Sequence, residues 1–97
     1  MVRYVVLVNF TDRGAAAVSK SMERAAAFRN AAEKVGATVE SAFWTLGESD
    51  GLLVLRAPDE ATATALVLDL AKAGNVRTRM LRAFDEDEFK KIVDRLG

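Results

Sequence analysis

The residues best suited to chemistry in this sequence lie in and beside one short turn, at Trp44, Glu48 and Asp50. The tryptophan ring offers contact area to a ligand, and the two carboxylates could bind a ligand or accept a proton at the mouth of a cavity. Gly47 and Gly51 flank the acidic residues and are expected to adopt positive φ angles in a β-hairpin turn. A core tryptophan beside an ordinary turn is the favoured interpretation, because turns are rich in small and acidic residues.

A second candidate site is a pair of arginines on the last predicted strand. Arg77 and Arg79 fall on one face of that strand, and Arg82 falls on the other. Two guanidinium groups pointing inward could hold an anionic ligand through bidentate hydrogen bonds. Arginines on strands more often pair with carboxylates across an interface or protect a sheet edge, and we favour this second interpretation.

The composition excludes several kinds of site. The 97 residues include neither histidine nor cysteine, so the common zinc, copper and haem sites cannot be built. The same absence removes Ser-His and Cys-His nucleophile pairs, and no cofactor or metal is expected. Acid-base catalysis would need a carboxylate or lysine with a strongly shifted pKa, which makes an enzyme the less favoured class.

Charge and length limit the partners. Fourteen basic and fourteen acidic residues cancel and are interspersed, so no basic stripe is available for nucleic acid. The apolar stretch Val2–Phe10 is too short to cross a bilayer and lacks the cleavage-site pattern of a secretory signal. We expect a single domain over residues 1–97, located in the cytoplasm, with neither nucleic acid nor membrane as a partner.

The elements that position the candidate residues follow the order β-α-β-β-α-β, with one more helix at the end. Periodicity predicts strands over Val2–Phe10, Thr38–Thr45, Leu52–Ala57 and Val76–Phe84. It predicts helices over Asp12–Val18, Met22–Val35 and Glu60–Ala73, and a last helix from Asp85. This order predicts an α+β protein of the ferredoxin-like fold, with an antiparallel sheet and both crossover helices on one face.

Helix caps and apolar stripes support these boundaries. Ser21 and Asp59 are expected to cap their helices, and Asp85 with Glu88 forms a capping-box pattern. The terminal helix carries a single apolar stripe, which must dock on another surface. Its members are Phe89, Ile92, Val93 and Leu96.

The face of the sheet without helices is expected to be an interface. The first and third strands are apolar at both alternating sets of positions, which is typical of strands covered on both faces. An exposed apolar area of that size usually marks an interaction surface. Packing two such faces about a two-fold axis would give a dimeric α/β barrel. The chain itself is therefore the first expected partner, as a homodimer or a higher assembly of dimers.

Three segments of the sequence resemble the GYD domain family of small bacterial proteins. They are Tyr4–Asp12, Trp44–Asp50, and Gly74–Thr78 together with Leu81–Phe84. The family is grouped with the dimeric α/β barrels, so the resemblance implies that architecture. Gly47 and Asp50 match the glycine and aspartate of the family's hairpin motif, whereas Ser49 stands at its tyrosine position. Related barrels include cofactor-free monooxygenases, isomerases, haem-handling enzymes and sensing modules, among which the fold does not choose.

Three functional hypotheses follow. The leading one is a small homo-oligomeric α/β-barrel protein that binds a small organic or anionic molecule between its sheet faces and acts as a binding or regulatory module. The second is a cofactor-independent enzyme of the monooxygenase or isomerase type. The third is a purely structural assembly unit, which would fill its interior with side chains.

Overall fold

A computed structural model describes residues 1–97 as one four-stranded antiparallel sheet with helices. The strands are β1 (Val2–Phe10), β2 (Thr38–Trp44), β3 (Gly51–Ala57) and β4 (Val76–Ala83), and they lie in the order β2-β3-β1-β4. The helices are α1 (Asp12–Ala16), α2 (Ser21–Lys34), α3 (Glu60–Lys72) and α4 (Glu86–Val93). This is the predicted ferredoxin-like α+β fold with a C-terminal helix.

Two helices begin at the aspartates that the sequence indicated. The carboxylate of Asp59 accepts a hydrogen bond from the backbone N–H of Thr62, 2.8 Å away. Asp85 and Glu88 form the predicted capping box, in which each side chain accepts from the other residue's backbone N–H. These N–H groups stabilise the ionised carboxylates and lower the pKa values of Asp59 and Asp85.

The prediction that Ser21 caps α2 is wrong. The helix begins at Ser21 itself, and the hydroxyl of Ser21 donates to the backbone carbonyl of Val18 at 2.6 Å. A 3-10 turn over Val18–Lys20 leads directly into α2, so Lys20 is the N-cap residue and makes no side-chain cap. The 3-10 turn that runs directly into α2 thus takes the place of the expected side-chain cap.

The core lies between the sheet and the paired helices α2 and α3. Alternate residues of β1 and β3 face these helices, among them the buried Tyr4, Val6 and Leu55. The helices contribute both small and large apolar side chains to this core, and the small side chains allow the helices to lie close to the sheet. The buried helical residues are Phe28, Ala32, Ala63, Leu66 and Val67.

The opposite face of the sheet, here called the helix-free face, is also apolar at its centre. The register places Val5 beside Val54 of β3 and beside Leu81 of β4, and Leu7 beside Leu52. Phe43 continues the patch onto β2 and is 60% exposed. The predicted two-sided apolar strands are therefore confirmed, and no helix of the chain packs extensively on this face.

A β-bulge in β2 decides which face Trp44 occupies. Val39 pairs with Leu55, and Ser41 pairs with the preceding residue of β3, so Glu40 is an extra residue in the strand. The extra residue reverses the alternation beyond it. Trp44 consequently shares the helix-covered face, whereas a regular strand with Val39 buried would have placed it on the helix-free face.

Helix α4 follows β4 and is not covered by any other element of the chain. Its extensive contacts within the chain are limited to the 3-10 turn over Asp94–Leu96 that follows it. The four side chains of its predicted apolar stripe are between 40% and 81% exposed. The stripe therefore exists as predicted, and nothing in the same chain buries it.

Candidate functional site

The hairpin between β2 and β3 is fastened to the end of β1 by its own polar groups. The backbone N–H of Asp50 donates to the carbonyl of Val8 at 2.8 Å, and the carboxylate of Asp50 accepts from the backbone N–H of Phe10 at 2.8 Å. The side-chain amide of Asn9 donates to the backbone carbonyl of Glu48 at 2.6 Å. The carboxylate of Asp50 therefore has a structural role, because it holds the hairpin against the end of β1.

The two glycines of the turn play different roles. Gly47 has a φ of +114°, as expected for a position that disfavours side chains. Gly51 does not adopt positive φ, which corrects the prediction. It lies in β3, where an added Cβ would stand 2.9 Å from the carbonyl oxygen of Phe43. Close approach of the two strands, rather than a turn conformation, favours glycine there.

A groove of about 370 Å³ opens next to this hairpin, between α2, α3 and the helix-covered face of the sheet. Its lining is mainly apolar and includes Phe28, Leu53, Leu66 and Leu70. The volume lies within the range of about 300–1,000 Å³ that is usual for small-molecule pockets. Trp44 stands at its edge and is 47% exposed, so the interpretation of Trp44 as a core residue is wrong.

Polar side chains at the groove are few and partly engaged. Arg24 donates to the backbone carbonyl of Ala17, and Arg29 donates to the carbonyl of Val39, each at 3.1 Å. Asp69 also lines the groove and forms no ion pair within the chain. The arrangement offers apolar contact with isolated charges at the rim, which suits an aromatic or aliphatic molecule with a polar end.

The five predicted site residues do not meet in one place. Trp44 and Asp50 line the groove on the helix side. Glu48 is exposed on the turn, while Arg77 and Arg79 lie on the helix-free face. The guanidinium of Arg79 reaches the hydroxyl of a serine in the turn only at 3.5 Å. Two features separate the tryptophan from the arginines: β2 and β4 are opposite edges of the sheet, and the bulge in β2 turns Trp44 to the other face.

Sequence reasoning missed a charged cluster at the other end of the sheet. Arg3 holds Glu40 in a bidentate ion pair, with Nε–Oε1 and Nη2–Oε2 distances of 2.6 and 3.2 Å. Its Nη1 atom also lies 3.6 Å from Asp85 and 3.7 Å from Glu88. The hydrogen bond from Arg3 lowers the pKa of Glu40. The available signal was a lone charge within the apolar strand β1.

Arg82 is a further member of this charged cluster. Its guanidinium carbon lies 5.9 Å from the ring centre of Tyr4 and 4.5 Å from that of Phe84, within the range of cation–π contacts. It also approaches Glu88 at 3.9 Å. Burial raises the pKa of Tyr4, and the nearby carboxylate of Glu60 adds to the rise. The cluster fastens the start of α4 to β1 and β4.

Neither a metal centre nor a membrane helix is present. No group of three acidic residues is placed so that it could hold a metal ion. No helix has both the length and the apolar character needed to cross a bilayer.

The strand order and the two helices on one face define a ferredoxin-like α+β protein. The chain belongs to the GYD domain family, whose sequence model matches residues 4–93. This confirms the resemblance seen in the three segments of the sequence.

One relative is a protein of Thermus thermophilus named glutamine synthetase and cystathionine beta-lyase binding protein. It is 34% identical over 84 residues, which cover 86% of this chain and 88% of that protein. Among solved structures, TTHA0845 from the same organism has a TM-score of 0.56 and 21% identity, over 88% of this chain and 95% of that one. The leucine response regulatory protein LrpA of Mycobacterium tuberculosis also has a TM-score of 0.56, with 19% identity over 87% of this chain. The match spans 51% of LrpA, and both structures support the fold alone.

Proposed function

We propose that this chain is a single-domain, homo-oligomeric α/β-barrel protein that acts as a binding and regulatory module. The observation that carries the proposal is the helix-free face, where apolar residues of all four strands form one patch that no helix covers. A second copy is the proposed occupant, because a two-fold axis brings the same patch onto itself and buries both at once.

The rim of the helix-free face supports self-association. Its centre is apolar, while Arg56, Arg77 and Arg79 stand around it without an ion pair in the chain. An apolar centre with a charged rim is the usual composition of a protein interface. Carboxylates of a second copy would give these arginines the partners predicted from the sequence.

The proposed partner of the dimer is a metabolic enzyme. Support comes from the relative that is named for binding glutamine synthetase and cystathionine beta-lyase, since the similarity spans most of both chains. We extend that kind of partner to this chain, with glutamine synthetase and cystathionine beta-lyase as the two enzymes to test first. The role would be regulatory, with the dimer altering the activity or assembly of its target.

The test has two independent stages. Light scattering at micromolar concentration should give twice the mass of one chain or a larger even multiple, and a monomer would refute the proposed interface. Immobilised protein should then capture purified glutamine synthetase or cystathionine beta-lyase from its own organism, with serum albumin as the control. A dimer that binds neither enzyme would refute the proposed partners and leave the dimer standing.

The groove supports a second function, the binding of a small organic or anionic molecule. Its volume of about 370 Å³, its apolar lining and the half-exposed Trp44 favour an aromatic or aliphatic ligand. The proposed ligand position is thus the helix side, with Trp44 and Asp50 in reach, rather than the space between two sheet faces. Arg77 and Arg79 are assigned to the dimer rim, and Glu48 to the turn.

A thermal-shift screen of small carboxylic acids, quinones and aromatic compounds tests the groove. A ligand that binds only the folded chain stabilises it by RT ln(1 + L/Kd), where L is the free ligand concentration, and therefore raises the melting temperature as the ligand concentration increases. Ala25→Leu, which adds volume inside the groove, should abolish the shift, whereas Ala65→Leu on the exposed side of α3 should preserve it. A shift that survives Ala25→Leu would place the ligand elsewhere.

A further inference from the structure

We infer that α4 packs on a second copy of the chain and not on its own sheet, so that each subunit holds its partner with its C-terminal helix. The inference rests on the dimer proposed above and extends it. The occupant of the apolar stripe is therefore specified as the partner subunit, and the surface it meets is the partner's helix-free face or its edge.

Helix α4 needs a surface that its own chain does not provide. Its eight residues are too few for a stable helix in water, because isolated helices shorter than about 12–15 residues are marginal. Its stripe of Phe89, Ile92 and Val93, which Leu96 continues in the following 3-10 turn, is between 40% and 81% exposed. The chain measures 52 Å in its longest dimension and 18 Å in its shortest. Packing against another body would bury the stripe.

Helix α4 starts next to residues of the sheet that show where its start lies. Arg3 lies in β1 on the same face as Val5 and Leu7, which is the helix-free face. The guanidinium of Arg3 contacts both Asp85 and Glu88 at the start of α4. Arg82 approaches Glu88 from the helix-covered face at 3.9 Å, so the helix begins at the end of the sheet, within reach of both faces. Because α2 and α3 already cover one face, a second copy on the helix-free face would be the new surface next to the start of α4.

The charges of α4 and of the helix-free face are complementary between two copies. Glu86 and Asp87 add two carboxylates to the first turn of α4, and neither forms an ion pair within the chain. Arg56, Arg77 and Arg79 leave the helix-free face with an excess of unpaired positive charge. An acidic helix start and a basic rim attract each other across an interface, and they also fix its register.

Hydrogen exchange of α4 tests the inference directly. In the wild-type dimer, the amides of residues 89–96 should exchange at least tenfold more slowly than in the monomer produced by Leu7→Arg. The strands should stay protected in both. Equal protection of α4 in the dimer and the monomer would show that it packs on its own chain. A dimer with unprotected α4 would overturn this inference alone, whereas a monomeric wild type would overturn the dimer as well.

A matched pair of substitutions in α4 gives a second readout. Ile92→Ser removes a member of the stripe, and Lys91→Ser changes its neighbour on the polar side of the helix. We expect Ile92→Ser to raise the dimer dissociation constant at least tenfold and Lys91→Ser to change it by less than twofold. Neither residue belongs to the buried core, so the fold of each subunit should persist. An unchanged dissociation constant in Ile92→Ser would refute the inference.

Discussion

Replacing Leu7 by arginine should convert the protein to a folded monomer. Leu7 lies in β1, one of the two central strands of the sheet, with Leu52 of β3 on one side and Arg79 of β4 on the other. Its side chain is partly buried in the isolated chain and faces away from α2 and α3. A change at this position therefore acts on the helix-free face and leaves the core on the other side of the sheet in place.

The expected magnitude follows from burial and symmetry. Fully burying a leucine side chain stabilises by about 1.5–3 kcal/mol, and at most about a third of that remains to be gained when the partly buried Leu7 enters the interface. Both copies carry the substitution, so the apolar loss is at most about 1–2 kcal/mol per dimer. Burying two guanidinium groups among apolar side chains costs several kcal/mol more. A total above about 4 kcal/mol raises the dissociation constant at least about 10³-fold.

Analytical ultracentrifugation over a range of concentrations measures this change, and circular dichroism verifies the fold. Leu68→Arg is the matched control, because Leu68 lies on α3 and is 64% exposed away from the helix-free face. The control should dimerise as the wild type does. A Leu7→Arg variant whose dissociation constant stays within threefold of the wild-type value would refute the assignment of the helix-free face as the interface.

Three further predictions concern packing, pH and the position of the tryptophan. Gly14→Ala should destabilise the fold by about 1–3 kcal/mol or more in urea unfolding, since its Cβ would stand 1.9 Å from the carbonyl oxygen of Asn75; wild-type stability would contradict this. The pKa of Asp85 is lowered by its cap, so the stability it contributes is complete above its ordinary pKa of 3.8 and is lost as the pH falls through the folded-state value. The stability difference between wild type and Asp85→Asn should therefore shrink on acidification, and a constant difference would contradict the argument. Trp44 emission should not change when the dimer dissociates, because the ring lies on the helix side; a shift that accompanies dissociation would place it at the interface.

Short-range signals were sufficient to predict most of the fold. The capping box of Asp85 and Glu88 depends on residues three apart, so the sequence displays it completely. Gly36 and Gly74 end their helices at positive φ, where the missing Cβ matters locally. The two-sided apolar pattern of β1 likewise predicted a sheet with an uncovered face, because strand alternation has a fixed period of two.

The candidate site was less predictable because it depends on register and on contacts between distant segments. One extra residue, Glu40, moves Trp44 to the other face of the sheet, and no local pattern in β2 marks the bulge. Arg3 and Glu40 meet although they are 37 positions apart. The groove lies between α2 and α3 above the sheet and is lined by alanines of α2 and by larger side chains of α3, so it depends on how the two helices are placed and not on either helix alone.

The groove and the helix-free face lie on opposite sides of one sheet, so substitutions can show which side binds the enzyme. In β1, Val8 contributes to the groove and Leu7 to the helix-free face, so neighbouring residues serve opposite sides. If the partner enzyme binds the helix side, monomeric Leu7→Arg should still bind it. The variant should lose only the avidity that two linked binding sites give the dimer. If the enzyme binds across the dimer, Leu7→Arg should lose binding while Leu68→Arg keeps it. Capture by these two variants, measured at equal concentration, therefore assigns the partner to one side of the sheet.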